Sequence, residues 1–190
     1  RMGCAIAAAS LDAGHGCVLV SGPTDLDPPP GVTVLDVTSA DEMHAAVQAE
    51  LPGVQVVIGV AAVADYRPAA REQGKPKKRP GSWSLDLVKN PDVIASAASA
   101  GADCAIMGFA LEVAEKADAS DALARGRAKL ERKGLDLIVL NLADAIGADE
   151  SEVILLFADG RPDERLPRQA KTETARRLVA AGIEAWRQKQ

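Results

Sequence analysis

The chain has 190 residues, of which 47% are hydrophobic and 26% charged, an ordinary globular balance that excludes a disordered polymer. Its formal net charge of −5 argues against a general nucleic-acid binder, which needs a basic face to neutralise phosphates. Three cysteines with no Cys-x-x-Cys pair and only two histidines exclude a disulfide framework and a multi-histidine metal site, and fit a reducing cytoplasm. No apolar run reaches membrane-spanning length, since residues 54–64 are broken by Gly59 and followed by Asp65.

The opening Met2-Gly3-Cys4-Ala5-Ile6 reads as a helix already under way, which predicts that part of the domain precedes residue 1; Ala13-Gly14 stops this helix. Residues 17–21 form a short apolar strand closed by Gly22-Pro23, and residues 32–37 form the next. Ser39-Ala40-Asp41-Glu42 is a capping box that opens a helix ending near Gly53. The continuous apolar run 54–60 suits a parallel strand covered on both faces. Residues 67–82 are a basic loop with almost nothing to bury, a candidate lid.

Residues 83–88 alternate like a half-buried strand, and Asn90 is expected to cap a helix opened by Pro91 and stopped by Gly101. Residues 104–109 form a buried strand. A charged helix over 120–133 follows, with Ala124, Ala128 and Leu130 as a weak apolar face. Residues 135–140 form another strand, and residues 152–157 pair with a piece near Arg165-Leu166 around Asp159-Gly160. A last helix over 169–187 buries Ala175, Leu178, Val179, Ile183 and Trp186. The alternation predicts one α/β domain over residues 1–190, a Rossmann-like, doubly wound, mostly parallel sheet with a late antiparallel hairpin.

Ligands of such a sheet bind at the carboxyl ends of its strands. Small residues, Asp65, Phe109 and Asn141 follow the predicted strands there and suit a nucleotide pocket. Each also has a plain structural reading: Asp65 as a cap, Phe109 as core, and the lysines at 75–78 as a solvated loop. There is no Walker A loop, and Gly14-His15-Gly16 precedes its strand instead of following it. Phosphate contacts must therefore come from lysines and helix N-termini.

In chain order, Val60-Ala61-Ala62-Val63-Ala64-Asp65-Tyr66-Arg67-Pro68, Lys75-Pro76-Lys77-Lys78, Asn90-Pro91-Asp92-Val93-Ile94 and Gly108-Phe109-Ala110 resemble bacterial phosphopantothenate–cysteine ligase. Lys129 and Lys133 ahead of Asp136 fit the same pattern. The sequence departs from the family in having proline within its lysine motif and Leu111-Glu112-Val113 where the family has Ala-Glu-Thr. The family's Asn-x-Ser-Ser-Gly-Lys-Met-Gly stretch would run into Arg1-Met2-Gly3, with its asparagine before residue 1.

The resemblance implies a ligase unrelated to the ATP-grasp enzymes. It would join 4′-phosphopantothenate and L-cysteine through a CTP-derived acyl-cytidylate, in the cytoplasm and as a homodimer. It implies nucleotide contacts at Gly59, Val60, Ala61, Asp65, Lys75, Pro91, Asp92, Val93, Ile94, Phe109, Lys129 and Lys133. Lys75 would be the catalytic residue and Asp65 the Mg²⁺ ligand. Two other readings stay open: an NAD(P) oxidoreductase, which should show a glycine fingerprint after its first strand, and a nucleotide-binding scaffold without chemistry.

Overall fold

A computed structural model describes residues 1–70, 74, 81–112, 119–142 and 149–190. Its central sheet has five strands in the order β3 (Val56–Gly59), β6 (Ala105–Glu112), β7 (Leu137–Leu142), β8 (Glu150–Phe157) and β9 (Glu164–Ala170). The first three are mutually parallel, and β8 and β9 close the sheet as an antiparallel hairpin turning at Gly160, whose φ is +81°. Two antiparallel pairings in succession leave β9 running with the parallel strands. Pro167 lies in β9, the edge strand, where a missing N–H costs the ladder little.

The inner strands are apolar at nearly every position because helices cover both faces. Ala105, Met107, Leu137, Val139, Val153 and Leu155 face one cluster, which includes Ile6 and Ala9 of α1 (Met2–Asp12) and Leu178 of α5 (Lys171–Gln188). Ile106, Ile138, Leu140 and Leu156 face the other, with Ala97 of α3 (Val93–Ser99) and Leu130 of α4 (Ala119–Lys133). Each leucine or isoleucine buried this way is worth about 1.5–3 kcal/mol in transfer free energy.

β1 (Val18–Ser21) and β2 (Thr33–Asp36) pair in parallel as a separate two-stranded sheet beside the mostly parallel central one with its late antiparallel hairpin. β4 (Tyr66–Pro68) and β5 (Leu87–Lys89) form a third, antiparallel pair. Ahead of α2 (Ala40–Glu50), the Ser39 hydroxyl accepts from Glu42 N at 3.2 Å. Glu42 reaches one residue further back than a capping box requires, accepting from Thr38 N at 2.7 Å and from Thr38 Oγ1 at 2.9 Å. Those bonds, Thr38 N–H first, hold its carboxyl below the ordinary value.

Three local expectations are corrected. Of the strand expected over 83–88 only residues 87 and 88 lie in β5, and the whole stretch is exposed instead of half-buried, with Trp83 at 58% and Leu85 at 60%, because no other layer packs on the β4–β5 pair among the described residues. The buried face of α4 is Ala122, Gly126 and Leu130, while Ala124 and Ala128 are exposed. Glycine is not read as apolar in a sequence pattern, yet Gly126 sits where its missing side chain lets α4 settle on Leu140 and Leu156. Finally, the cap of α3 is Asp92, not Asn90. Among the described residues no helix is long and apolar enough to cross a membrane.

Candidate active site

The carboxyl ends of β3 and β6 open onto a cavity of about 980 Å³, within the range of sites that take drug-sized and cofactor-sized ligands. One wall is β1 with residues 14–17 before it; the other is β3 continuing into Ala61 and Asp65. The turn before α3 supplies Pro91 and Asp92, the start of α3 supplies Val93 and Ile94, β6 supplies Phe109, and the end of α4 supplies Arg132 and Lys133.

Gly59 makes the close approach of α3 possible. A β-carbon there would lie 2.9 Å from Ile94 Cδ1, 3.0 Å from Cγ1 and 3.3 Å from Cβ. Only a residue without a side chain lets the turn at 91–94 sit directly over the end of β3.

Asp92 caps α3 by accepting from Ala95 N at 3.2 Å, and its carboxylate also meets Lys133 Nζ at 3.0 Å. Burial by itself would raise its pKa. The hydrogen bond from Lys133, the Ala95 N–H and the positive charges of Lys133 and Arg132 outweigh that and hold it below the ordinary value. The carboxylate thus ties α3 to α4 and carries an ammonium group to the mouth of the cavity. Phe109 is half-buried, with one side packed on the core cluster around Met107 and the other on the cavity, so its packing and recognition roles coexist.

Asp65 is exposed and lines the cavity, and its carboxylate has no hydrogen-bonding or ionic partner among the described residues, so it is not a helix cap. No group of three histidine, cysteine or acidic side chains comes together among the described residues. A single exposed carboxylate on the cavity wall is the kind of ligand Mg²⁺ takes, one or two protein carboxylates beside water and phosphate oxygens.

Nine of the twelve anticipated contact positions therefore surround one space: Gly59, Ala61, Asp65, the four residues 91–94, Phe109 and Lys133. Val60 turns toward the core cluster instead, since alternate residues of an extended chain face opposite ways. Lys129 is half-buried one helical turn before Lys133 and does not line the cavity. Lys75 and most of the basic loop 67–82 lie outside the described residues. The anticipated contacts did not include Arg132, Lys89 or Asn90, all of which line the cavity; the first two carry charge of the same sign as Lys133, to which Arg132 is adjacent in the chain.

The family described as the DNA/pantothenate metabolism flavoprotein C-terminal domain matches residues 1–185. The coenzyme A biosynthesis bifunctional protein CoaBC of Mycolicibacterium smegmatis is 40% identical over 191 residues, covering 94% of this chain and 45% of that protein. Its counterpart from Vibrio cholerae is 36% identical over 168 residues, covering 85% of this chain and 41% of that protein. The chain thus spans less than half the length of these curated relatives. The crystal structure of the C-terminal domain of a CoaBC protein superposes with a TM-score of 0.80 at 30% identity, covering 98% of this chain and 83% of that one.

Proposed function

The chain belongs to the DNA/pantothenate metabolism flavoprotein C-terminal domain family, and from that premise we propose that it carries the ligase step of coenzyme A biosynthesis, joining 4′-phosphopantothenate to L-cysteine. The observation that supports this most directly is the convergence of nine positions, drawn from four separate stretches of chain, on one cavity at the carboxyl rim. Residues far apart in sequence share such a space only when the fold is built to bring them there.

In the proposed reaction the carboxylate of 4′-phosphopantothenate attacks the α-phosphorus of CTP. The bond to the β-phosphate breaks, pyrophosphate leaves, and an acyl-cytidylate forms. The amine of L-cysteine then attacks the acyl carbon, CMP departs with the bonding electrons, and the amine's proton passes to solvent. Both substrates of the first step are anions, so cations at the site lower its barrier. Lys89, Arg132 and Lys133 supply positive charge at the cavity wall. Ala61, with only a methyl side chain, lets the nucleotide approach the backbone, and Phe109 offers a face for the base. Asp65 would hold Mg²⁺ against phosphate oxygens, where the ion neutralises charge on the triphosphate. Alignment of the two substrates supplies much of the remaining rate, which suits a site with little acid–base machinery.

A homodimer belongs to the same reading. Register places Tyr66, Pro68, Leu87 and Lys89 on one face of the β4–β5 pair, and the exposed Trp83 and Leu85 lie in the chain just before β5. An apolar stripe of this kind suits a second copy.

Release of pyrophosphate from CTP and 4′-phosphopantothenate, followed by CMP release only when L-cysteine is added, tests the reading. Neither release, from folded protein with Mg²⁺ present, would reject it.

A further inference from the structure

We infer that Arg67 is a positioning residue that sets the geometry of Asp65 relative to residues 91–94. Asn90 lies at the centre of this arrangement, a polar residue only 9% exposed whose hydrogen bonds all go to one short stretch of chain. Its Nδ2 donates to Ala64 O at 2.8 Å, and its backbone N–H donates to Asp65 O at 2.8 Å. Its Oδ1 accepts from Arg67 Nη1 at 2.8 Å. The same guanidinium donates to Lys89 O at 3.2 Å, and its other arm meets Asp41 Oδ2 of α2 at 3.1 Å.

Asp65 is thereby gripped by its own backbone and that of its neighbours, while its carboxylate is left facing the cavity. Asn90 is followed directly by Pro91, so the grip that fixes Asp65 also fixes the start of the turn that carries Asp92. Arg67 is what completes it. Without the guanidinium, the buried Asn90 carbonyl oxygen loses its partner, and a buried unpaired acceptor drives local rearrangement. A planar fork can serve Asn90, Lys89 and Asp41 together, whereas a lysine ammonium on a flexible stem cannot hold the same three acceptors in one plane. The Asp41 pair is largely solvent-exposed and adds little by itself; the bond to Asn90 is the one that holds the site.

This rests on the ligase reading only for what the geometry is used for, so the test has two arms on the full chain. In the first, hydrogen exchange follows the Asn90 amide in Arg67→Lys and Arg67→Ala. A rise of about tenfold or more at Asn90, with exchange in β6 and β7 unchanged, is expected for both variants; unchanged exchange at Asn90 would overturn the inference whatever the protein catalyses. In the second, Mg²⁺–CTP affinity is measured by calorimetry for Arg67→Lys, Asp65→Asn and the double variant. If Arg67 acts through Asp65, each single change weakens binding about tenfold and the pair costs little more than one of them. Losses that multiply would reduce Arg67 to general support of the fold. Absence of CTP binding in the unaltered protein would count against the ligase reading and leave the first arm to decide.

Discussion

Gly59 and Ile94 meet so closely that a β-carbon at position 59 would lie 2.9 Å from Ile94 Cδ1 and 3.0 Å from Cγ1, so Ile94 would have to give way. The contact seats the turn at 91–94 on the end of β3. Gly59→Ala should push Ile94 or all of α3 outward. The expected cost is about 1–3 kcal/mol of stability, as for other overpacked sites, together with a raised KM for nucleotide. Denaturant unfolding and steady-state kinetics on one preparation measure both, and unchanged stability in the Gly59→Ala variant would mean that α3 moves freely.

Asp65→Asn should separate folding from function. The side chain is exposed and unpaired among the described residues, so the thermal midpoint should stay within the scatter of surface substitutions, about 0.5 kcal/mol. Pyrophosphate release should fall by at least tenfold and recover in part at raised Mg²⁺. Normal turnover would remove Asp65 from the metal-binding role.

The Asp92–Lys133 pair predicts a signature in acid. The Asp92 carboxyl is held below its ordinary value in the folded protein, so its contribution is fully present above the ordinary carboxylate range. It fades as pH falls from the ordinary carboxylate value through the depressed one. Asp92→Asn keeps a good helix cap but cannot lose a charge. Its unfolding midpoint should therefore fall less steeply with acid than that of the unaltered protein. Parallel curves would show that the pair contributes nothing in solution.

Gly126→Ala sets two effects against each other. Alanine in a helix interior is favoured over glycine by about 1 kcal/mol. Yet its β-carbon would lie 2.7 Å from Leu140 Cδ2 and 2.9 Å from Leu156 Cδ1, and both leucines are fully buried, so each would have to repack within the core. Overpacking should win, for a net loss of about 1–2 kcal/mol, measured by urea unfolding. A stabilised variant would show that α4 can lift off the sheet.

Light scattering tests the dimer. The unaltered chain at ten-micromolar concentrations should give twice the mass of one chain, and Trp83→Glu combined with Leu87→Glu should give one chain mass with little change in melting temperature. Both side chains are more than half exposed, so the double change should not disturb the core.

Much of the architecture was legible in the residues themselves. The apolar runs that become β3, β6 and β7, the glycine after α1 and the Asp159-Gly160 turn are local signals, because each reflects a backbone preference or a burial pattern within a few residues. The tertiary structure alone decided where α3 is capped, which face of α4 is buried and how the site is held. Asp92 rather than Asn90 caps α3 because Asn90 spends its hydrogen bonds on Ala64, Asp65 and Arg67, residues more than twenty positions away. Gly126 is core because of two leucines on other strands. Such roles depend on which groups the fold brings within hydrogen-bonding or van der Waals distance. A residue's type states what it can bond, and only the folded chain determines what stands opposite it.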